Sequence, residues 1–369
     1  MLYHLLTPLS EQYGFLRLFG YILFRVAMAA GTSILLSFVI GPPTIRWLRA
    51  LRFGQVVRTD GPQSHLQKSG TPTMGGLLII LSCAVSSLLW ADLSNDYVMV
   101  AVIVLVWLAA LGFLDDYLKV VRRRPEGLVG RYKLVGQGML GLLAGAYLLF
   151  FPLSPNVPAQ WTTVPFLANF HVVIPYVLFV PWVMFVLMGA SNAVNLADGL
   201  DGLASGLTAI AAGTFGVFAY LIGNKVFSNY LGLTFLSGAG ELTVFCMALA
   251  GALLGFLWYN CHPAEVFMGD TGSLALGGAL GIVAIMLKME FQLILIGGIF
   301  VLEALSVIGQ VAWFKYTART RGKGERLLLM APLHHHFEKQ GWAESKIVVR
   351  FWIIGLFFSL IAFSTLKLR

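Results

Sequence analysis

Apolar residues run along this chain in long blocks, not in the alternation of a half-buried strand or the stripes of a surface helix. A helix that crosses a bilayer needs about 20 mainly apolar residues. Stretches of this kind, between polar, charged or Gly/Pro-rich interruptions, are predicted at 19–40, 73–90, 97–114, 134–151, 172–189, 203–221, 242–258, 271–287, 292–313 and 351–366. The pattern predicts an all-α polytopic integral membrane protein of ten transmembrane helices. No internal repeat and no long linker divides it, so residues 1–369 are expected to form a single transmembrane domain. The eighth stretch is short and Gly-rich, which leaves a re-entrant segment as its alternative. Interruption 152–171 sets Pro152, Pro155, Pro158 and Pro165 around alternating residues and is a place for a short hairpin.

Composition agrees with the pattern: 58% of residues are hydrophobic and 11% charged, against about 45–50% and about 25% in a soluble domain. Soluble, disordered, collagen-like and disulfide-scaffold classes are excluded. Cys83 and Cys246 lie inside apolar stretches and Cys261 at the end of one, as packing residues would. The N-terminus has Glu11 and Arg17 ahead of its apolar run and lacks a basic leader, so the first span is expected to be retained.

The placement of charge gives the orientation. Nineteen of the 25 basic residues fall in alternate loops: Arg46, Arg49, Arg52, Arg58 and Lys68; Lys119, Arg122, Arg123, Arg124, Arg131 and Lys133; and Lys315, Arg319, Arg321, Lys323, Arg326, Lys339, Lys346 and Arg350. Lys and Arg concentrate on the cytoplasmic side, so these loops are predicted to be cytoplasmic and both termini periplasmic. The last group of eight stays inside only if the eighth stretch crosses.

Acidic residues are rare, and most of them cluster on that same side. Asp115 and Asp116 close the third span, Asp198 and Asp201 follow the fifth, Asp270 precedes the eighth, and His334, His335 and His336 occupy the last cytoplasmic loop. A boundary carboxylate alone is ordinarily just solvated; three acidic clusters and a histidine run on one face are poorly explained that way. Carboxylate and amide oxygens suit Mg²⁺, which binds through one or two carboxylates plus substrate phosphates. Adjacent aspartates on a helix point about 100° apart, so Asp115 and Asp116 should meet different partners, such as metal and nucleophile. Lys68, Lys119 and Lys133 are placed to neutralise phosphate, and Gly269 and Gly272 to admit close backbone approach at a helix start that favours anions. This is the chemistry of phosphoryl transfer.

Other features divide between readings. The arginine run 122–124 is first an orientation signal. Cys261 and His262 with the histidine triplet match no usual zinc spacing. Glu303 lies deep in the ninth span, where an ionisable residue is costly and reads as functional or as a paired packing group. Phe267 is an interface aromatic or a stacking partner for a base. A transporter would show repeated halves and mid-membrane charge, whereas here only Glu303 is deep.

Five motifs then come together: Lys68-Ser69-Gly70-Thr71-Pro72-Thr73-Met74-Gly75-Gly76, Asp115-Asp116, Asn192 through Gly202, Asn260 through Ser273, and Pro332 through Glu338. Across nearly the whole chain this set resembles the polyprenyl-phosphate N-acetylhexosamine-1-phosphate transferase family. The all-His triplet in Pro332-Leu333-His334-His335-His336-Phe337-Glu338 is similar to its muramoyl-pentapeptide branch more than to its N-acetylglucosamine relatives. Ala197, where threonine is common, is a mild departure.

The resemblance implies Mg²⁺-dependent transfer of phospho-N-acetylmuramoyl-pentapeptide from UDP-N-acetylmuramoyl-pentapeptide to undecaprenyl phosphate. The products would be UMP and the first lipid intermediate of peptidoglycan synthesis, made at the cytoplasmic face of the bacterial inner membrane. It implies Asp270 as leading metal ligand with Asp115 and Asp116 beside it, and Asp115 as the group that deprotonates or positions the lipid phosphate. Asn195, Asp198 and Phe267 would stand on the uridine side, Lys119 and Lys133 on phosphate or uridine, and His335 with His334 and His336 on phosphate or sugar-peptide. Lys68, Thr73, Asn192, Asn260 and Glu303 complete the candidate substrate-binding set. Homodimers, membrane lipids and no nucleic acid are the implied partners.

Overall fold

The apolar blocks fold as helices because a backbone in hydrocarbon must satisfy its own N–H and C=O groups. The computed structural model describes residues 1–50, 70–122, 127–167 and 170–366. In chain order its helices are α1 (Leu2–Leu6), α2 (Ile22–Ala50), α3 (Gly76–Trp90), α4 (Asp96–Val120), α5 (Gly130–Phe150), α6 (Tyr176–Ala197), α7 (Leu203–Gly223), α8 (Lys225–Leu231), α9 (Leu242–Asn260), α10 (Gly269–Met286), α11 (Glu290–Ile296), α12 (Gly298–Arg321), α13 (Leu333–Lys339) and α14 (Glu344–Ser364). Among the described residues, 9 helices are long and apolar enough to cross a membrane, and α3, with 15 residues, is a shorter apolar helix in the place of the second predicted span. The protein is an all-α polytopic membrane protein. The expected hairpin is present as β1 (Trp161–Thr163) and β2 (His171–Val173), antiparallel with Thr162 opposite Val172.

Two boundaries differ from the sequence reading. Pro42 and Pro43 were expected to lie beyond the first span, yet α2 continues through both to Ala50. Proline removes the N–H that would bond the carbonyl four residues back, and at Pro42 the stranded acceptor is Phe38 O. Tyr259 Oη of α9 donates to it at 3.3 Å, and its ring packs on Gly41, where a Cβ would come within 2.5 Å of it. The ninth span is broken into α11 and α12 at Gly297. Gly298 begins α12 against the ring of Phe358 in α14, 2.7 Å from where a Cβ would stand.

The Gly-rich eighth stretch is the axis of the bundle. α10 is a continuous 18-residue helix buried along nearly all its length, with α4, α6, α3 and α7 around it. Small residues at the crossings allow this: a Cβ on Gly112 of α4 would stand 2.7 Å from Thr271 Cα, and one on Gly76 of α3 2.9 Å from the Thr271 carbonyl carbon. Backbone-to-backbone approach of this kind is how membrane helices associate tightly. Beyond the far end of α10, Lys288 O accepts from Thr163 N at 2.9 Å and Lys288 Nζ donates to Ala159 O at 2.8 Å, anchoring the hairpin segment. α10 therefore runs from the aspartate-bearing end to the hairpin end, and the re-entrant alternative is not what forms.

Candidate active site

The start of α10 meets the end of α4, and this junction divides the work of the adjacent aspartates. Asp116 turns to the helix start: its Oδ1 accepts from Asp270 N at 3.2 Å, and its Oδ2 from Thr271 N at 2.9 Å and Thr271 Oγ1 at 2.7 Å. An anion capping exposed N–H groups is favoured by the positive helix end. Asp115 points elsewhere, as the helical offset predicts. Its Oδ1 accepts from Leu128 N at 2.6 Å, and its Oδ2 lies 2.6 Å from Lys119 Nζ and 3.2 Å from Lys133 Nζ.

Asp270 completes the group. Its Oδ2 is 2.8 Å from Lys119 Nζ and 2.7 Å from Lys133 Nζ, so each ammonium bridges Asp115 and Asp270. Its Oδ1 accepts from Asn195 Nδ2 of α6 at 2.7 Å, and the same amide reaches Ser273 Oγ at 2.8 Å. Gly269 turns the chain into α10 with φ +73°. A side chain there would also crowd Asp116 Oδ2, at 2.6 Å from its Cβ, and Thr73 Oγ1, at 2.9 Å.

Oxygens of Asp115, Asp116 and Asp270 all lie within 4.8 Å of one another. Among the described residues Asp115 Oδ2 is buried without a well-directed hydrogen bond and is held by charge attraction to the two ammoniums. An orphaned carboxylate oxygen facing a second carboxylate is a donor set of the hard kind that Mg²⁺ takes. The residues present fit such an ion, with Asp115 and Asp270 better placed to coordinate than Asp116, whose oxygens are committed to α10. Asp198, in the turn after α6, lies within the negative field of this group. Burial, then the charges of Asp270, Asp116 and Asp201, pushes its carboxyl up to about 8.

The other sequence candidates fall into three groups. Thr73 and Phe267 border the site through an extended pairing, in which Phe267 N donates to Pro72 O, Gly75 N to Phe267 O and Gly76 N to Met268 O, each at 2.8 Å. Asn192 and Asn260 spend their amides inside the protein. Asn192 Nδ2 donates to Gln137 Oε1 at 3.0 Å and Met188 O at 2.8 Å. Asn260 Oδ1 accepts from Gly202 N and Ser205 Oγ while its Nδ2 donates to Val266 O, tying the 261–268 loop to α7. Glu303 and His334 are buried against each other. His335 Nδ1 lies 2.7 Å from Glu338 Oε2, and His336 Nδ1 accepts from Leu329 N at 3.1 Å. Lys68 lies outside the described residues.

Sequence reasoning gave no roles to Thr271, Ser273, Gln137 or Glu338. Thr271 and Ser273 stood inside a quoted motif, and Glu338 falls three residues after His335, the spacing that makes helix neighbours. A second group, Asp201, His262 and Glu344, joins two loops to the start of α14: His262 Nδ1 is 3.1 Å from Asp201 Oδ2 and 3.5 Å from Glu344 Oε2.

Comparison with known proteins bears on this arrangement. The chain is 53% identical over 382 residues to a phospho-N-acetylmuramoyl-pentapeptide-transferase of Gemmatimonas aurantiaca, covering 100% of both chains. The chain belongs to the phospho-N-acetylmuramoyl-pentapeptide-transferase family. Proteins with the same name from Geobacter sp., at 51% over 371 residues, and Granulibacter bethesdensis, at 52% over 372 residues, are also similar across 100% of both chains. Phospho-N-acetylmuramoyl-pentapeptide-transferase signature 1 matches residues 68–80, which include Thr73, beside Gly269, and the start of α3. The glycosyl transferase family 4 profile matches residues 98–288, which hold Asp115, Asp116, Lys119, Lys133, Asn195, Asp198 and Asp270. The protein is a multi-pass membrane protein of this transferase family.

Proposed function

We propose that the protein transfers phospho-N-acetylmuramoyl-pentapeptide from UDP-N-acetylmuramoyl-pentapeptide to undecaprenyl phosphate, releasing UMP. The observation that carries the reading is the convergence of carboxylates and lysines distant in sequence, from α4, α5 and α10, at one end of a membrane bundle. A soluble nucleotide can reach that end from water while a lipid phosphate reaches it from the bilayer. The excess of Lys and Arg in the loops assigned to that end by the sequence supports a cytoplasmic position for it.

In the one-step route, an oxygen of the lipid phosphate forms a bond to the sugar-linked phosphorus as its bond to the bridging oxygen breaks. The electron pair of that bond leaves on the phosphate of UMP. Asp115 positions the lipid phosphate and takes its proton where it carries one, and Lys119 and Lys133 move from the carboxylates to the phosphoryl oxygens as substrate enters. Asp270 and Asp115 would hold Mg²⁺, which when bound neutralises charge on those oxygens. Asp116 keeps Asp270 in place by fixing the first turn of α10. Phe267, Asn195 and Asp198 stand on the uridine side, and His335 on the phosphate or sugar-peptide side.

UMP release by the purified protein in detergent, with both substrates and with or without Mg²⁺, tests the reading. Release that needs both substrates and the metal is expected. Release with UDP-N-acetylglucosamine as donor and none with the muramoyl-pentapeptide would assign the protein to a different transferase specificity.

A further inference from the structure

Glu303 is 0% exposed, in the interior of α12. Its Oε1 accepts from the backbone N–H of His334 at 3.2 Å and lies 3.1 Å from His334 Nδ1. The His334 side chain is likewise 0% exposed, so in this conformation no substrate touches it. On the far edge of the ring, Nε2 abuts Gly199, where an added Cβ would overlap it. Glu303 Oε2 and both ring nitrogens of His334 take no directed hydrogen bond among the described residues, so Oε1 and Nδ1 are close without the geometry of one. The His335 ring stands 4.2 Å from that of His334 at 60°, with its own Nδ1 on Glu338.

A packing role for this pair would be met as well by apolar residues, since replacing a buried ion pair with a well-packed apolar one is often neutral or stabilising. A carboxylate 3.1 Å from one imidazole nitrogen does something that packing does not: its charge favours a proton on that nitrogen and one ring orientation, and so biases what the other nitrogen presents. Here the other nitrogen faces the 198–202 turn, one residue from Asp198, and the adjacent residue is His335.

We propose that Glu303 is a positioning residue for the transfer reaction, acting through His334 to hold the 198–202 turn and the His335 imidazole in register with each other. The proposal rests on the function proposed above. It makes His335, not His334, the histidine available to substrate, and it gives Gly199 a reason to lack a side chain. Glu303 itself touches no reacting atom.

The test uses purified full-length protein and UMP release, with kcat and KM determined for the UDP donor. E303Q is expected to lower kcat by about tenfold or more, with the donor KM within about threefold of wild type. The double variant E303Q/H334N should be no worse than the poorer single one, because the two residues act as a unit. G199A keeps both partners but forces His334 off the turn, and should lower kcat in the same way. It also carries the test if E303Q fails to fold. In protein labelled with ¹⁵N-histidine, the His334 ring signals, identified by their loss in H334N, should move in E303Q. Wild-type kcat in E303Q or in G199A, additive losses in the double variant, or unmoved His334 signals would each overturn the proposal. Absence of UMP release from wild type would overturn the function instead, and the ¹⁵N spectra are read without it.

Discussion

The bundle buries charge at both of its ends, and the two sites are built in opposite ways. At the hairpin end, Arg25 is 3% exposed and meets Glu241 through two parallel contacts, Nη1 to Oε2 at 2.7 Å and Nη2 to Oε1 at 2.5 Å. Glu241 also accepts from Asp92 N at 3.0 Å, and the guanidinium lies 4.5 Å over the Tyr3 ring. One positive and one negative group close on each other, in the forked geometry that suits arginine and carboxylate. At the other end, Asp115 and Asp270 share two ammoniums beside Asp116, with Asp198 close enough to feel the charge of Asp270 and Asp116. Lysine is a point charge on a flexible stem, so it can hold carboxylates now and phosphate later. The closed pair has the geometry of a structural contact; the open group, left short of positive charge, is the one proposed for binding and chemistry.

Substitutions should separate those roles, and the largest effect belongs to Asp270. Asp270→Asn is expected to lower kcat by about 1000-fold or more, about 4 kcal/mol of transition-state stabilisation, without loss of fold by circular dichroism. Retained turnover would remove Asp270 from the chemistry. Arg25→Met strands the Glu241 carboxylate and should cost about 3 kcal/mol of stability, read as an earlier thermal unfolding in detergent, while kcat stays within about twofold. A large kcat loss in folded protein would mean that the closed end is not merely structural. Asp116→Asn falls between the two classes. It weakens the cap on α10 by about 1 kcal/mol and, by shifting Asp270, should lower kcat about 100-fold. The smallest change is expected from Asp198→Asn, which removes a carboxyl that its neighbours oppose. Unfolding temperature should rise by about 2 °C in metal-free protein even as activity falls, and a drop in unfolding temperature would show that the carboxylate is satisfied after all.

Much of this was legible in the chain, for identifiable reasons. Block length alone located the ten apolar helices, because hydrocarbon thickness fixes how long a crossing must be. The divergence of Asp115 and Asp116 followed from the helical turn. The passage of α2 through Pro42 and Pro43 was not legible, since the hydroxyl that repairs it comes from Tyr259, over 200 residues away. The break at Gly297 is likewise followed by a distant contact, Gly298 on Phe358 of the last helix. In the site, motif membership did not distinguish residues that face the carboxylates, such as Asn195, from those that tie loops together, such as Asn260. Both are asparagines near helix ends; only the partner decides. Glu303 stood out by depth, but His334 as its partner lies across a loop whose path the residue pattern does not give.

The enclosure of α10 has a consequence for how the protein is made. A helix wrapped by α3, α4, α6 and α7 gains little from lipid, and its many glycines make it a poor candidate to enter a bilayer alone. All four of those neighbours precede it in the chain, so they are already synthesised when it leaves the ribosome. The segment that carries Asp270 thus completes a socket built ahead of it, and a chain arrested before that step is left without the proposed reactive centre.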